Sequence, residues 1–203
     1  MIYNHQSHDI KDPVRAIVDM LEQRMEKGTS PSVISIDGGS GAGKSVISAE
    51  VAASTGATII HCDDFFNNTI SDADWDAYSI KKRCRLCFDW ERLRNEALLP
   101  LLAGQKVTYC PYYALDMNDS SKAVVKEPSH IIILDGIYSS YWLERFVDFK
   151  ILVDVSPDVR YKRHNLREGT EDTDWHLRWD PVEDYYFSAL CPSDTFDKIV
   201  VNE

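Results

Sequence analysis

Eight consecutive residues, Gly38-Gly39-Ser40-Gly41-Ala42-Gly43-Lys44-Ser45, hold four of the chain's nine glycines and fit the spacing G-x-x-x-x-G-K-[ST]. Glycines admit positive φ and close approach, so successive backbone N–H groups in such a run can surround a chain of phosphates. Lys44 would then reach the terminal phosphates, and the Ser45 hydroxyl would ligate Mg2+. Further on, the apolar run Ile59-Ile60 leads into His61-Cys62-Asp63-Asp64-Phe65-Phe66. A carboxylate in that position can take the proton of an alcohol and orient it for in-line attack. It can equally cap the segment that follows, and spacing alone leaves both roles open for the pair.

The elements that must position these groups are legible as alternating signals. Ser32 to Asp37 is a short β-rich run ending in the glycines, and Val46 to Ala53 reads as a helix whose N-terminal dipole adds to the anion site. Apolar runs recur at Thr58 to His61, Ile131 to Leu134, Phe149 to Val153 and Lys198 to Val201. Helix-like stretches fall at Trp90 to Leu102, Ser139 to Phe146, Pro157 to Arg167 and Pro181 to Ala189. An earlier helix starts at the cap pair Asp12-Pro13, continues through Val14, Ile17, Leu21 and Met25, and stops at Gly28. Continuously apolar strands separated by helices imply an α/β fold with a parallel sheet covered on both faces. In such sheets ligands lie beyond the carboxyl ends of the strands, where Asp63 falls.

Composition bounds the partners. The 203 residues carry 22 Lys plus Arg against 33 Asp plus Glu, a formal charge of -11, with 44% hydrophobic residues. That acidic balance opposes broad binding to nucleic acid or anionic membranes, although a local phosphate site remains compatible with it. No apolar run approaches the ~20 residues that span a bilayer, and the opening residues lack a signal-peptide pattern, so a cytoplasmic location is expected. Cys84 and Cys87 form one C-x-x-C without a second pair, which reads as packed thiols rather than a zinc site.

Taken together, Gly38 to Ser45, Cys62-Asp63-Asp64-Phe65-Phe66 and Ile133-Leu134-Asp135-Gly136-Ile137-Tyr138 resemble the uridine kinase and phosphoribulokinase branch of P-loop small-molecule kinases. Nicotinamide riboside kinases share the Asp-Asp-Phe-Phe form especially closely. The resemblance implies a P-loop NTPase fold with a five-stranded parallel sheet. A single kinase domain would span 1–203, with a small lid at about 160–180. It implies transfer of a phosphoryl group from ATP or GTP, with Mg2+, to a small hydroxyl-bearing substrate, and an assembly of several copies whose number is not specified.

Carried over by position, the resemblance makes Asp63 the catalytic base and Asp135 an acidic group that holds Mg2+ through its water shell, with the Ser45 hydroxyl as a ligand. Asp89 would bind ribose hydroxyls, its other reading being an N-cap for the helix at Trp90. Tyr113, with Tyr112, matches a nucleoside-contacting segment. The pattern then departs at Ala114-Leu115-Asp116-Met117-Asn118-Asp119-Ser120, which lacks the expected base-reading His and Arg. Arg160, Arg163 and Arg167 recur on one helical face in the lid position, and Arg163 or Arg167 would cover the transferred group. A solvated basic face is the alternative. Thr170 to Asp180 reads as a mobile lid tip or an oligomer contact. A different class, a nucleotide switch or regulatory ATPase with water as acceptor, shares the phosphate loop alone.

Overall fold

The computed structural model describes residues 12–24, 31–115 and 120–203. Along the chain lie α1 (Pro13–Arg24), β1 (Ser32–Asp37), α2 (Lys44–Thr55), β2 (Thr58–His61), α3 (Asp72–Ala77), α4 (Ile80–Leu86) and α5 (Trp90–Leu93). After α5 a π turn leads into α6 (Leu99–Leu102). Then follow β3 (Val107–Tyr109), α7 (Tyr112–Leu115), β4 (Val124–Lys126), β5 (Ile131–Asp135), α8 (Ser139–Trp142) and β6 (Phe149–Asp154). The last are α9 (Pro157–Glu168), α10 (Thr173–Tyr185), which runs on as a π turn to Leu190, and β7 (Lys198–Val201). The expected stop of α1 at Gly28, and the departure at Asp116 to Asp119, lie outside the described residues.

Five strands form one parallel sheet in the order β2-β5-β1-β6-β7, and β3 and β4 form a separate antiparallel pair. Strand side chains alternate between faces, and the alternation divides the core into two layers. Ile34, Ile36, Ile133, Ile151 and Val153 pack on one face with Ile17 and Leu21 of α1 and Val51 of α2. Val33, Ile60, Ile132, Leu134 and Leu152 pack on the other with Leu93, Trp75, Trp179 and Tyr186. Burying such a side chain contributes about 1.5–3 kcal/mol, so both layers hold the sheet and the loops at its ends in place.

One boundary changes: the helix read as starting at Pro181 begins at Thr173, inside the Thr170 to Asp180 stretch, capped by the Asp172 carboxylate accepting from the Trp175 amide at 3.3 Å. The helix runs through Pro181, which removes one backbone donor. A stripe of His176, Trp179, Val182, Glu183 and Tyr186 is buried along one side and holds the helix against that loss.

Candidate active site

The phosphate loop leaves β1 at Asp37, a fully buried carboxylate. Asp37 accepts from the amides of Gly38 at 2.8 Å, Tyr138 at 3.2 Å and Ser140 at 3.2 Å, and from the Tyr186 hydroxyl at 2.7 Å. Burial pushes its carboxyl above the ordinary aspartate value, and these donors pull it partly back. The loop ends at Gly43, whose φ of 87° opens α2 and would strain any other residue. Ala42 donates to the Gly39 carbonyl at 3.2 Å. The amides of Gly39, Gly41, Gly43, Lys44 and Ser45 keep no partner among the described residues, so they are the donors left for an anion. Lys44 Nζ donates to the Gly39 carbonyl at 3.0 Å, within the loop it serves.

Side chains from far along the chain hold this loop. Glu183 on α10, 4% exposed, accepts from the Ser40 amide at 3.0 Å and from Arg160 Nη1 at 2.6 Å. Arg160 lies across Gly39 so closely that a β-carbon there would strike the guanidinium. Asn202, just past β7, donates to the Ala42 carbonyl at 2.9 Å, and Arg163 donates to the Asn202 carbonyl at 2.7 Å. His164 Nδ1 is 3.3 Å from both Ser40 Oγ and Arg167 Nη2. The guanidinium can only donate, so Nδ1 is the acceptor and the ring is neutral there; burial, then Arg167, lowers its pKa accordingly. Glu183, His164 and Asn202 carry no signal for the site in the sequence, and Arg160 is legible there only as one of three arginines on a helical face, since only the folded arrangement brings these residues to the loop.

At the end of β2 the chain turns through a 3-10 helix, Cys62–Phe65. The two aspartates separate here. Asp64 accepts from the Tyr109 hydroxyl at 2.9 Å, which anchors the turn to β3. Asp63 is exposed and makes no side-chain hydrogen bond among the described residues. Protein atoms crowding it push its carboxyl above the ordinary aspartate value; Lys44 pulls it down, Asp135 pushes it up and Arg167 pulls it down again. Lys44, Asp135 and Arg167 are therefore the main charges that act on the Asp63 carboxylate. Arg163 is tied to the Asn202 carbonyl and is not among the charges that act on Asp63.

Parallel register sets His61 of β2 beside Asp135 of β5. Their contact, His61 Nδ1 to Asp135 Oδ2, is 2.7 Å, and it is the main cause of a raised His61 pKa. Asp135 is 3% exposed, and its other oxygen, Oδ1, is buried without a partner. Such an orphaned acceptor costs about 1–3 kcal/mol unless an ion or water meets it. A hard divalent cation bound by oxygens fits that deficit, with the exposed Ser45 hydroxyl as the second protein oxygen. Gly136, which follows, packs so tightly on Cys62 that a β-carbon would collide with it.

On the opposite rim, Asp89 caps α5, accepting from the Arg92 amide at 2.9 Å, and is itself exposed. Its amide donates to the Phe65 carbonyl at 2.8 Å, and Asn67 donates to the Cys87 carbonyl at 2.9 Å, so the Asp63 turn and Asp89 are stitched together. Tyr112 packs edge-on to Phe66 with ring centroids 5.5 Å apart, and Tyr113 stands edge-on to Tyr112 and is largely exposed. Burial, then the Asp63 charge, raises the Tyr112 pKa. Cys84 and Cys87 are buried thiols; burial pushes Cys84 up to about 12 and Cys87 well above its usual value, so neither is a ready thiolate.

No helix among the described residues is long and apolar enough to cross a membrane. A family model described as an AAA domain matches residues 34–184. A uridine kinase of Halobacterium salinarum is 31% identical over 171 residues, covering 81% of this chain and 73% of its own. A uridine kinase of Deinococcus deserti is 29% identical over 147 residues, covering 70% of each chain. Among solved structures, a possible uridine kinase from Bacillus stearothermophilus superposes with a TM-score of 0.67 at 18% identity, covering 95% of this chain and 99% of that one. With the glycine loop at the end of β1, the parallel sheet and these relatives, the chain belongs to the AAA-domain family of P-loop proteins, in the branch of the uridine kinases, and is a phosphotransferase that acts on a hydroxyl group.

Proposed function

We propose that the chain is a Mg2+-dependent nucleoside kinase that moves the terminal phosphoryl group of ATP or GTP to a hydroxyl of a nucleoside such as uridine or cytidine. The observation that carries this reading is Asp63, an exposed carboxylate beyond a strand end that makes no side-chain hydrogen bond among the described residues and lies in the field of Lys44, Asp135 and Arg167. Asp63 accepts the proton of the acceptor hydroxyl and aims its oxygen. Lys44 leaves the Gly39 carbonyl for the phosphates, joining the free loop amides between Gly39 and Ser45. Ser45 and Asp135 Oδ1 are the oxygens that hold Mg2+, which when bound draws charge from the phosphate oxygens. Asp89 grips the vicinal diol, and Tyr112 and Tyr113 wall the acceptor. The α9–α10 hairpin acts as the lid, with Arg167 over the transferred group and Arg163 at the nucleotide side. Residues 1–203 work as one kinase domain. Positioning and electrostatic stabilisation supply most of the rate.

The Asp63-Asp64-Phe65-Phe66 form also favours a second reading, nicotinamide riboside or another sugar or vitamin as acceptor. One experiment decides: ADP or GDP release with Mg2+ and a panel of nucleosides, nicotinamide riboside and pantothenate. Turnover stimulated by uridine or cytidine supports the proposal. Stimulation by nicotinamide riboside alone moves the acceptor to the second reading, and release unaffected by every compound overturns the nucleoside assignment.

A further inference from the structure

The metal-binding part of the proposed function leaves one neighbouring residue without a role. His61 lies on the strand next to Asp135, in direct register with it, at the carboxyl end of the sheet. An ionised carboxylate has no hydrogen to give, so the 2.7 Å contact is a donation from His61 Nδ1–H to Asp135 Oδ2. That bond engages one carboxylate oxygen and leaves the other, Oδ1, buried and unpartnered. The His61 side chain is 39% exposed, so it is not held there by burial, as a core residue would be.

Aspartate has two rotatable side-chain bonds, and a carboxylate free to turn presents neither oxygen consistently. A fixed donor on Oδ2 removes that freedom and presents Oδ1 alone. Groups that hold a metal-ligating side chain in this way commonly govern metal affinity as strongly as 10- to 100-fold. We infer that His61 is a positioning residue for the metal site: its Nδ1–H locks the Asp135 carboxylate so that Oδ1 faces the divalent cation. The inference rests on the assignment of Asp135 to Mg2+.

The test uses Mn2+ as the probe, its affinity for the full-length protein with ADP bound being read by electron paramagnetic resonance. His61→Ala is expected to weaken Mn2+ binding about 10- to 100-fold. ADP affinity without metal, which depends on the loop amides and Lys44, stays within about twofold. His61→Asn, whose amide nitrogen can occupy the place of Nδ1, restores most of the lost affinity. Thermal unfolding of each variant separates a folding defect from a metal defect, and if His61→Ala is poorly folded the Asn variant against His61→Leu gives the same comparison. Mn2+ affinity unchanged in His61→Ala while Asp135→Asn weakens it overturns the His61 role and leaves the metal site standing. Unchanged affinity in Asp135→Asn overturns the metal assignment, and the His61 inference with it.

Discussion

Tyr186 donates its phenolic hydrogen to Asp37 at 2.7 Å, a contact between residues 149 positions apart. Asp37 in turn accepts from Gly38, the first residue of the phosphate loop. The loop's entry is therefore fixed by a group on the π turn that continues α10. Tyr186→Phe removes one donor from a buried carboxylate and is expected to destabilise the fold by about 1.5–3 kcal/mol, since hydrogen bonds to charged groups are worth that much. Urea unfolding monitored by tryptophan fluorescence measures it, and a loss below about 0.5 kcal/mol would show that the phenol adds nothing to Asp37.

Asp63→Asn keeps the shape of the proposed base and removes its charge. Phosphoryl transfer should fall by about 10²–10⁴-fold, the usual contribution of general acid–base groups. Nucleotide affinity measured by calorimetry should stay close to that of the parent. Parallel loss of both would return Asp63 to a structural role at the end of β2.

The same residue sets a pH expectation. Crowding raises the Asp63 carboxyl above its ordinary value of about 3.9, and the ionised form is the one that accepts a proton. The rate at saturating substrates should therefore decline on the acid side with an apparent pKa above 3.9. Lys44 lowers that value, so the midpoint in Lys44→Ala lies higher than in the parent wherever residual turnover is measurable. A midpoint that does not move on loss of Lys44 would break the link between the two groups.

Asp89 both caps α5 and faces the proposed diol site, and two substitutions separate these roles. Asparagine caps as well as aspartate, whereas alanine costs about 1 kcal/mol. Asp89→Asn should leave the melting temperature unchanged yet raise the acceptor KM about tenfold or more; Asp89→Ala should do both. If Asp89→Asn retains the parent KM, the carboxylate serves the helix alone.

Glu183 ties the Ser40 amide to Arg160 from a buried position. Glu183→Gln keeps a carbonyl for Ser40 but leaves Arg160 without its counter-charge. Breaking buried pairs costs about 3–5 kcal/mol, and because Arg160 is partly exposed a loss of about 2–3 kcal/mol is expected. Nucleotide affinity should drop along with it, because the loop loses its fixed partner. Full stability in this variant would mean that solvent already satisfies Arg160.

Much of the scaffold is readable in the chain, and the reason is burial on both faces. All five sheet strands are apolar runs such as Ile131 to Leu134, and their positions agree with the structure to within one residue. The short pair Val107–Tyr109 and Val124–Lys126 escapes notice, because three residues set no period and each strand depends on the other. The helices α3 and α4 are likewise hidden in polar sequences, Asp72–Ala77 and Ile80–Leu86. Proline 181 masks the start of α10, whose buried stripe overrides local propensity. At the site, Lys44, Ser45, Asp63 and Asp135 announce themselves through spacing next to a strand. Their supports do not, since Glu183, Tyr186, Asn202 and the pairing of His61 with Asp135 follow from register and packing over long sequence separations.

The strand order carries a consequence for how such a molecule could be altered. After β2 the chain leaves the main sheet and rejoins it at β5, the strand immediately alongside, separated by the roughly 4.8 Å of one sheet spacing. Residues 62 to 130, which include Asp89, Tyr112 and Tyr113, thus form a crossover cassette that departs from the carboxyl end of β2 and returns at the amino end of the adjacent, parallel β5, while the glycine loop, Asp135 and the arginine helix lie outside it. Exchanging that cassette between relatives would change the proposed acceptor wall and leave the proposed nucleotide site in place, with Asp63, near the first end of the exchanged segment, as the proposed base that must meet both.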